Sequence, residues 1–325
     1  MAYSDIIVSI LCTVYNQAKY LRECIDGILA QKTNFRYEVI IHDDASSDDS
    51  VEIIKEYMEK YPNLIFLVAQ EENKFSKQKF DIYRNYLFPL VRGKYIAFCE
   101  ADDYWIASDK LQKQVDFLEK NTDYGLVYTN YNAYIEKSKI LKLKYGDLYK
   151  NFSGYAFEKL FERCFIRTLT VCVRSNLLIN IPRLSQGVFN GDLFYFYEVT
   201  RQTKIYYDDF ISGVYRILTV SSSHCHNLAS WKEMHDSLRK LDYYEAQYLS
   251  TELELLKLDA KWLLFDLKYS LKKSDMNYFN SLRKTDKRVI SYFPFRIRAI
   301  FLICQSRIGF NFLSWIIRKK MHMFS

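Results

Sequence analysis

Gly93-Lys94-Tyr95-Ile96-Ala97-Phe98-Cys99-Glu100-Ala101-Asp102-Asp103-Tyr104-Trp105 is the stretch that decides how this chain folds. The apolar run Tyr95–Cys99 ends in three carboxylates within four residues. Such a run reads as a buried strand with its acids at the C-terminal tip. In open α/β sheets that edge is where ligands sit. Three neighbouring carboxylates repel one another unless something positive joins them. A divalent cation holding a phosphorylated ligand answers that need, because hard oxygen ligands suit Mg²⁺ or Mn²⁺. Taken alone, the stretch also reads as an acidic loop leading into a helix N-cap.

The flanking chain removes much of that ambiguity. Ile6–Val14 is apolar and β-branched, a second buried strand, and Ala18–Gln31 carries Leu21, Cys24, Ile25, Ile28 and Leu29 at helical spacing. Tyr37–Ile41 reads as a strand ending in His42-Asp43-Asp44, and Ala45–Asp49 is turn and N-cap chemistry. A helix with Val51, Ile53, Ile54 and Tyr57 follows, then a strand over Asn63–Val68 and a helix over Phe80–Val91. Beyond the acidic stretch come a helix over Asp109–Lys120 and a strand over Gly125–Asn130. This alternation predicts an α/β fold with a doubly wound, mostly parallel sheet. Its strand tips bring Thr13, Tyr15, Asp43, Asp44, Glu100, Asp102 and Asp103 to one edge. No Gly-rich loop follows the first strand, which excludes the usual dinucleotide fingerprint and the P-loop. A nucleotide here would be held by carboxylates, an aromatic ring and a metal. Tyr15 is placed either to stack on a base or to pack as an ordinary half-buried aromatic.

Composition bounds the rest. The chain has 325 residues, 49% of them apolar, and seven scattered cysteines without a CxxC pair. That usage points to reduced thiols in a cytosolic setting rather than a disulfide framework or a zinc site. Asp5 interrupts any secretory leader, and no apolar run is long enough to span a bilayer. The formal charge of +7 is unevenly placed: Arg283–Ser325 holds ten basic residues and one acid, Asp286, so the remainder carries −2. Trp231–Ser270 reads as long helix without a chemical motif. Tyr292–Phe324 interleaves aromatics and aliphatics with the cations, the pattern of a helix lying in an anionic membrane interface. The alternative is a helical appendage or dimer contact with solvated cations. Nucleic acid is set aside for want of any binding motif.

Val8–Asn16, then Asp43-Asp44-Ala45-Ser46-Ser47-Asp48, then Gly93–Ile96 running into Glu100-Ala101-Asp102-Asp103, resemble in order and spacing the family-2 inverting glycosyltransferases of GT-A fold, especially bacterial enzymes of capsular or cell-surface polysaccharide synthesis. The resemblance covers roughly the first 130 residues. It implies that Asp44 binds the base of a nucleotide-sugar and that Asp102 and Asp103 form the metal- and diphosphate-binding DxD region, with Mn²⁺ or Mg²⁺. Glu100 stands where that pattern has its first Asp. Arg84-Asn85 resembles the family's Arg-Asn pair, meeting the diphosphate or capping a helix. Asp192, in Asn190-Gly191-Asp192, occupies the setting of the family's general base, or else caps a helix. Glu198 and Asp208-Asp209 are weaker candidates. Val214–Ile217 with Ser221–His224 resembles the segment closing the donor site, so His224 or His226 would touch diphosphate or metal. Arg167–Val173 alternates like a strand, with Thr168 and Thr170 on one face of a possible acceptor groove.

The expected organisation is a GT-A-like nucleotide-sugar-binding and catalytic domain over 1–227 and a helical, basic region over 228–325. The expected activity is inverting transfer of a sugar from a nucleoside-diphosphate donor to a hydroxyl of a glycan or lipid-linked acceptor. Thr13, Tyr15, Asp44, Arg84, Glu100 and Asp102 would bind the donor, Asp102, Asp103 and His224 the metal, and Asp192 would take the proton. The expected location is cytoplasmic, peripheral on the inner face of the cell membrane. The alternatives are a metal-dependent nucleotidyltransferase, which would want a Gly-rich basic loop, and a non-catalytic nucleotide-sugar-binding or scaffold protein.

Overall fold

The computed structural model describes residues 6–75, 81–149, 151–181, 191–218, 228–282, 285 and 287–322, in two compact units, 1–224 and 225–325. The strands of the first unit are β1 (Ile6–Val14), β2 (Arg36–Asp43), β3 (Ile65–Ala69), β4 (Tyr95–Phe98), β5 (Tyr104–Trp105), β6 (Tyr124–Ile135), β7 (Ile140–Lys142), β8 (Cys172–Arg174) and β9 (Lys204–Ile217). Its helices are α1 (Ala18–Leu29), α2 (Ser50–Lys60), α3 (Lys110–Lys120), α4 (Phe157–Glu162), α5 (Asn176–Ile179) and α6 (Gly191–Gln202). The strands form one sheet in the order β3-β2-β1-β4-β8-β6-β9-β5, with β7 beside β6. The first four are parallel, as the βαβ alternation predicts. β8 then runs antiparallel between β4 and β6, and β6 pairs in parallel with β9.

Both faces of the sheet are covered. Val8, Ile10 and Cys12 of β1 and Val39 and Ile41 of β2 pack on Leu21, Cys24, Ile25 and Ile28 of α1 and Ile53 and Ile54 of α2. The alternate residues Ser9, Leu11, Ile40 and His42 are buried on the other face. That is why these strands read as continuous apolar runs. Each fully buried aliphatic side chain contributes about 1.5–3 kcal/mol. Gly93 lets the start of the decisive stretch close on β1, since a Cβ there would lie 2.5 Å from the Ser9 nitrogen. Ser9 Oγ accepts from Gly93 N at 2.9 Å and donates to buried Glu38 at 2.6 Å, and Arg92 Nε neutralises that carboxylate at 2.7 Å.

Several elements differ from the sequence expectation. The described part of Phe80–Val91 is a π-turn, Tyr83–Leu87, followed by a 3₁₀ turn, Phe88–Leu90, whose Pro89 has no N–H to continue a helix. Phe152–Phe161 is helical only from Phe157. Arg167–Val173 is no alternating strand: Thr168–Thr170 forms a 3₁₀ turn, and only Cys172–Arg174 joins the sheet. The Thr170 hydroxyl donates to the Arg167 carbonyl at 2.7 Å, a local bond that competes with a ladder.

In the second unit, the long helix expected over Trp231–Ser270 is two, α7 (Leu228–Glu245) and α8 (Glu252–Lys273). Thr251 starts α8 by accepting from Glu254 N at 3.3 Å, the first half of a Thr-x-x-Glu capping box. Short α9 (Met276–Leu282) and α10 (Lys287–Ser291) follow, then α11 (Phe295–Ile303) and α12 (Arg307–His322), bent by 119° where one helix was expected. Leu263, Leu267, Phe279, Val289, Phe301 and Phe310 form this unit's core.

Lys110 opens α3 fully buried, with Nζ 2.8 Å from Gln114 Oε1 and 4.3 Å from the centre of the Trp105 ring. Burial pulls its pKa down to about 8. Below that pH the native state carries the desolvation cost in full. Between about 8 and the unfolded value near 10.4, the native lysine deprotonates first and the cost is relieved. Wild type should therefore gain up to about 3 kcal/mol on Lys110→Met between pH 7.5 and 10.5 in paired thermal melts. A gap that stays constant would show that Lys110 is not desolvated.

Candidate active site

Three strand tips are stitched together beyond the regular ladder. Asp44 N donates to the Val14 carbonyl at 2.9 Å, Cys99 N to Leu11 at 3.1 Å, and Ala101 N to Thr13 at 3.2 Å. Thr13, Asp44, Glu100 and Asp102 therefore stand along one edge, as the order β2-β1-β4 requires. Asn16 and Ala45, the residues turning the chain off β1 and β2, have φ of 52° and 62°. Such left-handed non-glycine residues cost about 1–2 kcal/mol each. Asn16 is held by Ser46 and Ser47: its N–H donates to Ser46 Oγ at 2.9 Å, and its Oδ1 accepts from Ser47 N at 2.8 Å. This brace leaves Tyr15 48% exposed.

The carboxylates divide by environment. Asp43 closes its own turn by accepting from Ser46 N and Oγ. Asp44 is nearly buried and accepts from Lys74 N at 2.8 Å and Phe75 N at 3.0 Å, one bond per oxygen, with a second lone pair left on each. Glu100 accepts from the Tyr83 hydroxyl at 3.2 Å, while its Oε2 is buried without a partner. Burial pushes Glu100 up to about 7; Thr168 opposes this, and the charges of Asp102 and Asp192 add to it. Asp103 is 3% exposed and accepts from Arg216 N at 2.7 Å. Burial first, then the charges of Asp102 and Glu100, hold its pKa well above the carboxylate range. Asp102 is only partly buried, raised by burial with Arg216 opposing. Arg216 also donates from Nε to the Asp102 carbonyl at 2.8 Å and lies 4.5 Å from the Tyr20 ring centre.

Among the described residues no three His, Cys, Asp or Glu side chains converge as a ready metal shell. The acids do fit a cation of another habit. Mg²⁺ in phosphate sites takes one or two carboxylates and completes its shell with phosphate oxygens and water. The orphaned Glu100 oxygen and the partly exposed Asp102 carboxylate match that use.

Asp192 lies in the first turn of α6, where the helix dipole favours an anion. It shares a small crevice with Tyr83, Phe98, Thr168 and Tyr195. Its side chain reaches the surface, yet the atoms packed around it push its pKa up, with the Leu193 peptide N–H and then the Arg167 guanidinium opposing. Of the weaker candidates, Glu198 is buried against Arg201 at 2.5 Å, and Asp209 accepts from Asn130 and Tyr207, each at 3.0 Å. The Arg84 guanidinium donates through Nη1 to the Ile181 carbonyl. His224, His226 and Ser221–Ser223 lie outside the described residues. Sequence reading missed Tyr83, which carried no signal beyond an aromatic in an apolar segment. It quoted Arg216 without disclosing that its peptide N–H holds the Asp103 carboxylate and its guanidinium the Asp102 carbonyl.

The Glycosyl transferase family 2 profile matches residues 9–178, just over half of the chain. The chain belongs to glycosyl transferase family 2. The matched span holds Thr13, Asp44, Arg84, Glu100, Asp102 and Asp103, and Asp192 lies beyond it. An uncharacterized protein of Mycobacterium tuberculosis is 41% identical over 118 residues, which are 36% of this chain and 32% of that protein. The match thus spans about a third of the length of that relative. The putative teichuronic acid biosynthesis glycosyltransferase TuaG of Bacillus subtilis is 30% identical over 153 residues, 45% of this chain and 58% of TuaG. In structure, the chain is similar to Staphylococcus aureus TarS 1–349 solved with UDP-GlcNAc, at TM-score 0.66 and 15% identity over 98% of this chain and 93% of that one. The mannosyltransferase PcManGT of Pyrobaculum calidifontis, solved with GDP-Man and Mn²⁺, gives TM-score 0.58 and 14% identity over 97% and 88%. The curled, mostly parallel sheet of this family 2 chain is the GT-A fold.

The Glu100 environment has a thermal signature. Below about pH 4.5 the acid is protonated in both folded and unfolded states. Between there and about 7 the unfolded state ionises first, so native stability falls as pH rises. In chelator-treated protein, Glu100→Gln should gain up to about 3 kcal/mol on wild type from pH 4.5 to 7.5. A pH-independent difference would show that Glu100 is ordinarily solvated.

Proposed function

We propose that this protein transfers a sugar from a nucleoside-diphosphate sugar to a hydroxyl of a glycan or lipid-linked acceptor, with inversion, in cell-surface polysaccharide synthesis. The observation that carries the reading is the nearness of Asp192 to the strand-tip acids: its charge reaches Glu100 and helps raise that pKa, and Tyr83, which donates to Glu100, lines the same small crevice as Asp192. Tyr15 would stack on the base, with Thr13 and Asp44 beside it. Asp102 would hold Mn²⁺ or Mg²⁺, which neutralises charge on the departing nucleoside diphosphate. Its partial exposure favours it over Asp103, which serves as a strut. Asp192 would remove the acceptor hydroxyl's proton from the opposite side of the sugar. A raised pKa makes the Asp192 carboxylate a stronger base, and the helix N-terminus and Arg167 limit that rise. The solved neighbours with UDP-GlcNAc and with GDP-Man and Mn²⁺ support the donor class.

Asp192→Asn keeps size and most hydrogen bonding but cannot take a proton. Transfer should fall by about 10²–10⁴-fold while nucleoside-diphosphate affinity holds. Near wild-type transfer would remove Asp192 from the mechanism. An equal loss of affinity or thermal stability would instead make it a helix cap.

The second unit supports a peripheral site on the inner face of the cell membrane. Phe295, Leu302, Ile308, Phe312 and Trp315 are 53–86% exposed along α11 and α12, with Arg296, Arg298 and Arg307 also exposed among them. Among the described residues no single helix is long and apolar enough to cross a membrane. An apolar face flanked by cations suits an anionic interface. Ile308→Ser with Trp315→Ser should release the protein from phosphatidylserine vesicles in co-sedimentation, and wild-type binding should weaken with salt. Unchanged pelleting of the double variant would overturn the membrane reading.

A further inference from the structure

Arg22, Arg92, Arg201, Arg216, Arg239 and Arg288 each pair with a carboxylate. Arg163 and Arg167 have no carboxylate partner among the described residues. Both lie on one aromatic ring. Arg163 is 4.1 Å and Arg167 4.9 Å from the Tyr149 ring centre, and Arg167 donates to the Tyr149 hydroxyl at 2.9 Å. Tyr215 flanks Arg167 at 5.9 Å. Beside them the Tyr131 hydroxyl is buried next to Tyr149 and Arg167, and no partner meets it at full hydrogen-bond geometry. Burial raises the Tyr149 phenol, but Arg167, Tyr131 and Arg163 outweigh it and leave its pKa below the usual value. The cluster is thus positive and partly enclosed: the Arg167 charge is felt at Asp192, but neither guanidinium closes an ion pair among the described residues.

Its place says which anion. Tyr131 is on β6, Tyr215 on β9, and Arg167 precedes the turn whose first residue, Thr168, lines the Asp192 crevice. The donor-edge residues Thr13, Asp44 and Glu100 belong to the tips of β1, β2 and β4, on the other side of β8 in the sheet order. Guanidinium groups are weakly hydrated and match phosphate and carboxylate with paired hydrogen bonds. Two of them sharing a site without an ion-paired carboxylate repel each other, and an oxyanion between them relieves that repulsion.

We propose that Arg163, Arg167 and the Tyr131 hydroxyl bind an oxyanion carried by the acceptor, a phosphate or carboxylate near the hydroxyl that receives the sugar. This rests on the acceptor side being the Asp192 side, as in the function proposed above. The acceptor is then an acidic polymer or lipid-linked glycan rather than a neutral one.

Isothermal titration reads this site without turnover. Glycerol 3-phosphate and methyl glucuronide are titrated into protein whose donor site is filled by nucleoside diphosphate and Mn²⁺, with methyl glucoside as the neutral control. At least one anion should bind well ahead of the control, and the tighter one names the group. Arg163→Gln and Arg167→Gln should each weaken it roughly tenfold or more, with Arg167→Lys in between. Arg163 is exposed, so its substitution leaves the fold intact even if Arg167→Gln does not. Equal binding of anions and control, or unchanged affinity in Arg163→Gln and Arg167→Gln, would overturn the proposal. So would competition between glycerol 3-phosphate and nucleoside diphosphate, which would assign the arginines to the donor. A wild type that hydrolyses no nucleotide-sugar would count against the transferase reading alone, since the titration judges the anion site independently.

Discussion

The structure turns on one residue, Arg216, which joins β9 to the acidic turn after β4 through both its peptide N–H and its guanidinium. Its backbone N–H holds the Asp103 carboxylate, and its guanidinium holds the Asp102 carbonyl and pairs with Glu23. Buried acids beside one another are tolerated only when fixed donors meet them. With Arg216 in place, Asp103 can be buried as a strut while Asp102 stays partly exposed. The clamp also joins distant chain segments, since Glu23 is on α1 and Glu136 closes from the end of β6 at 3.8 Å. The acidic turn is thus set by an arginine more than 110 residues later in the chain.

That dependence explains what the sequence could and could not disclose. Buried parallel strands announce themselves as apolar runs, and their tips fall where those runs stop. The β1, β2 and β4 tips were therefore legible, with Thr13, Asp44, Glu100 and Asp102 on one edge. The partner of each acid was not. Nothing in Asp44-Ala45 discloses that Lys74 and Phe75 will supply peptide donors, nor in Glu100 that Tyr83 will satisfy one oxygen and leave the other orphaned. Such pairings are made by tertiary folding between residues far apart in sequence. The Thr168–Thr170 turn was misread for a local reason: alternation is shared by a strand and a 3₁₀ turn over so few residues, and the Thr170 side chain decided between them. The break before α8 was signalled by Thr251 and Glu254, a cap that apolar spacing alone passes over.

The insertion of β8 gives the sheet two halves with different chemistry. On one side, parallel strands end in acids, a setting for a cation and a diphosphate. On the other, β6 and β9 carry Tyr131, Tyr207 and Tyr215, with Arg163 and Arg167 near them and carboxylates held in bonds of their own. Antiparallel β8 can be short because it is bonded on both sides, to β4 and to β6. A short strand between two longer neighbours leaves room at its end for the turn carrying Arg167 and Thr168. Asp192 reaches that room from α6, so the group assigned the proton faces both halves.

Local conflicts collect at this junction, as they do where function overrides stability. Asn16 and Ala45 adopt left-handed backbone, Glu100 keeps an unmet oxygen at a pKa near neutrality, and Arg163 and Arg167 share a ring without a carboxylate. Each would be relieved by a ligand of opposite character. A cation relieves the acids, and an oxyanion relieves the arginines. The same fold also holds buried charges that need no ligand, such as Glu38 with Arg92 and Asp242 with Lys261. The chain can therefore satisfy a buried charge internally where stability alone is at stake. It leaves charge unmet along the strand-tip edge and around Tyr149, and that contrast identifies those two places as the ones built to receive something.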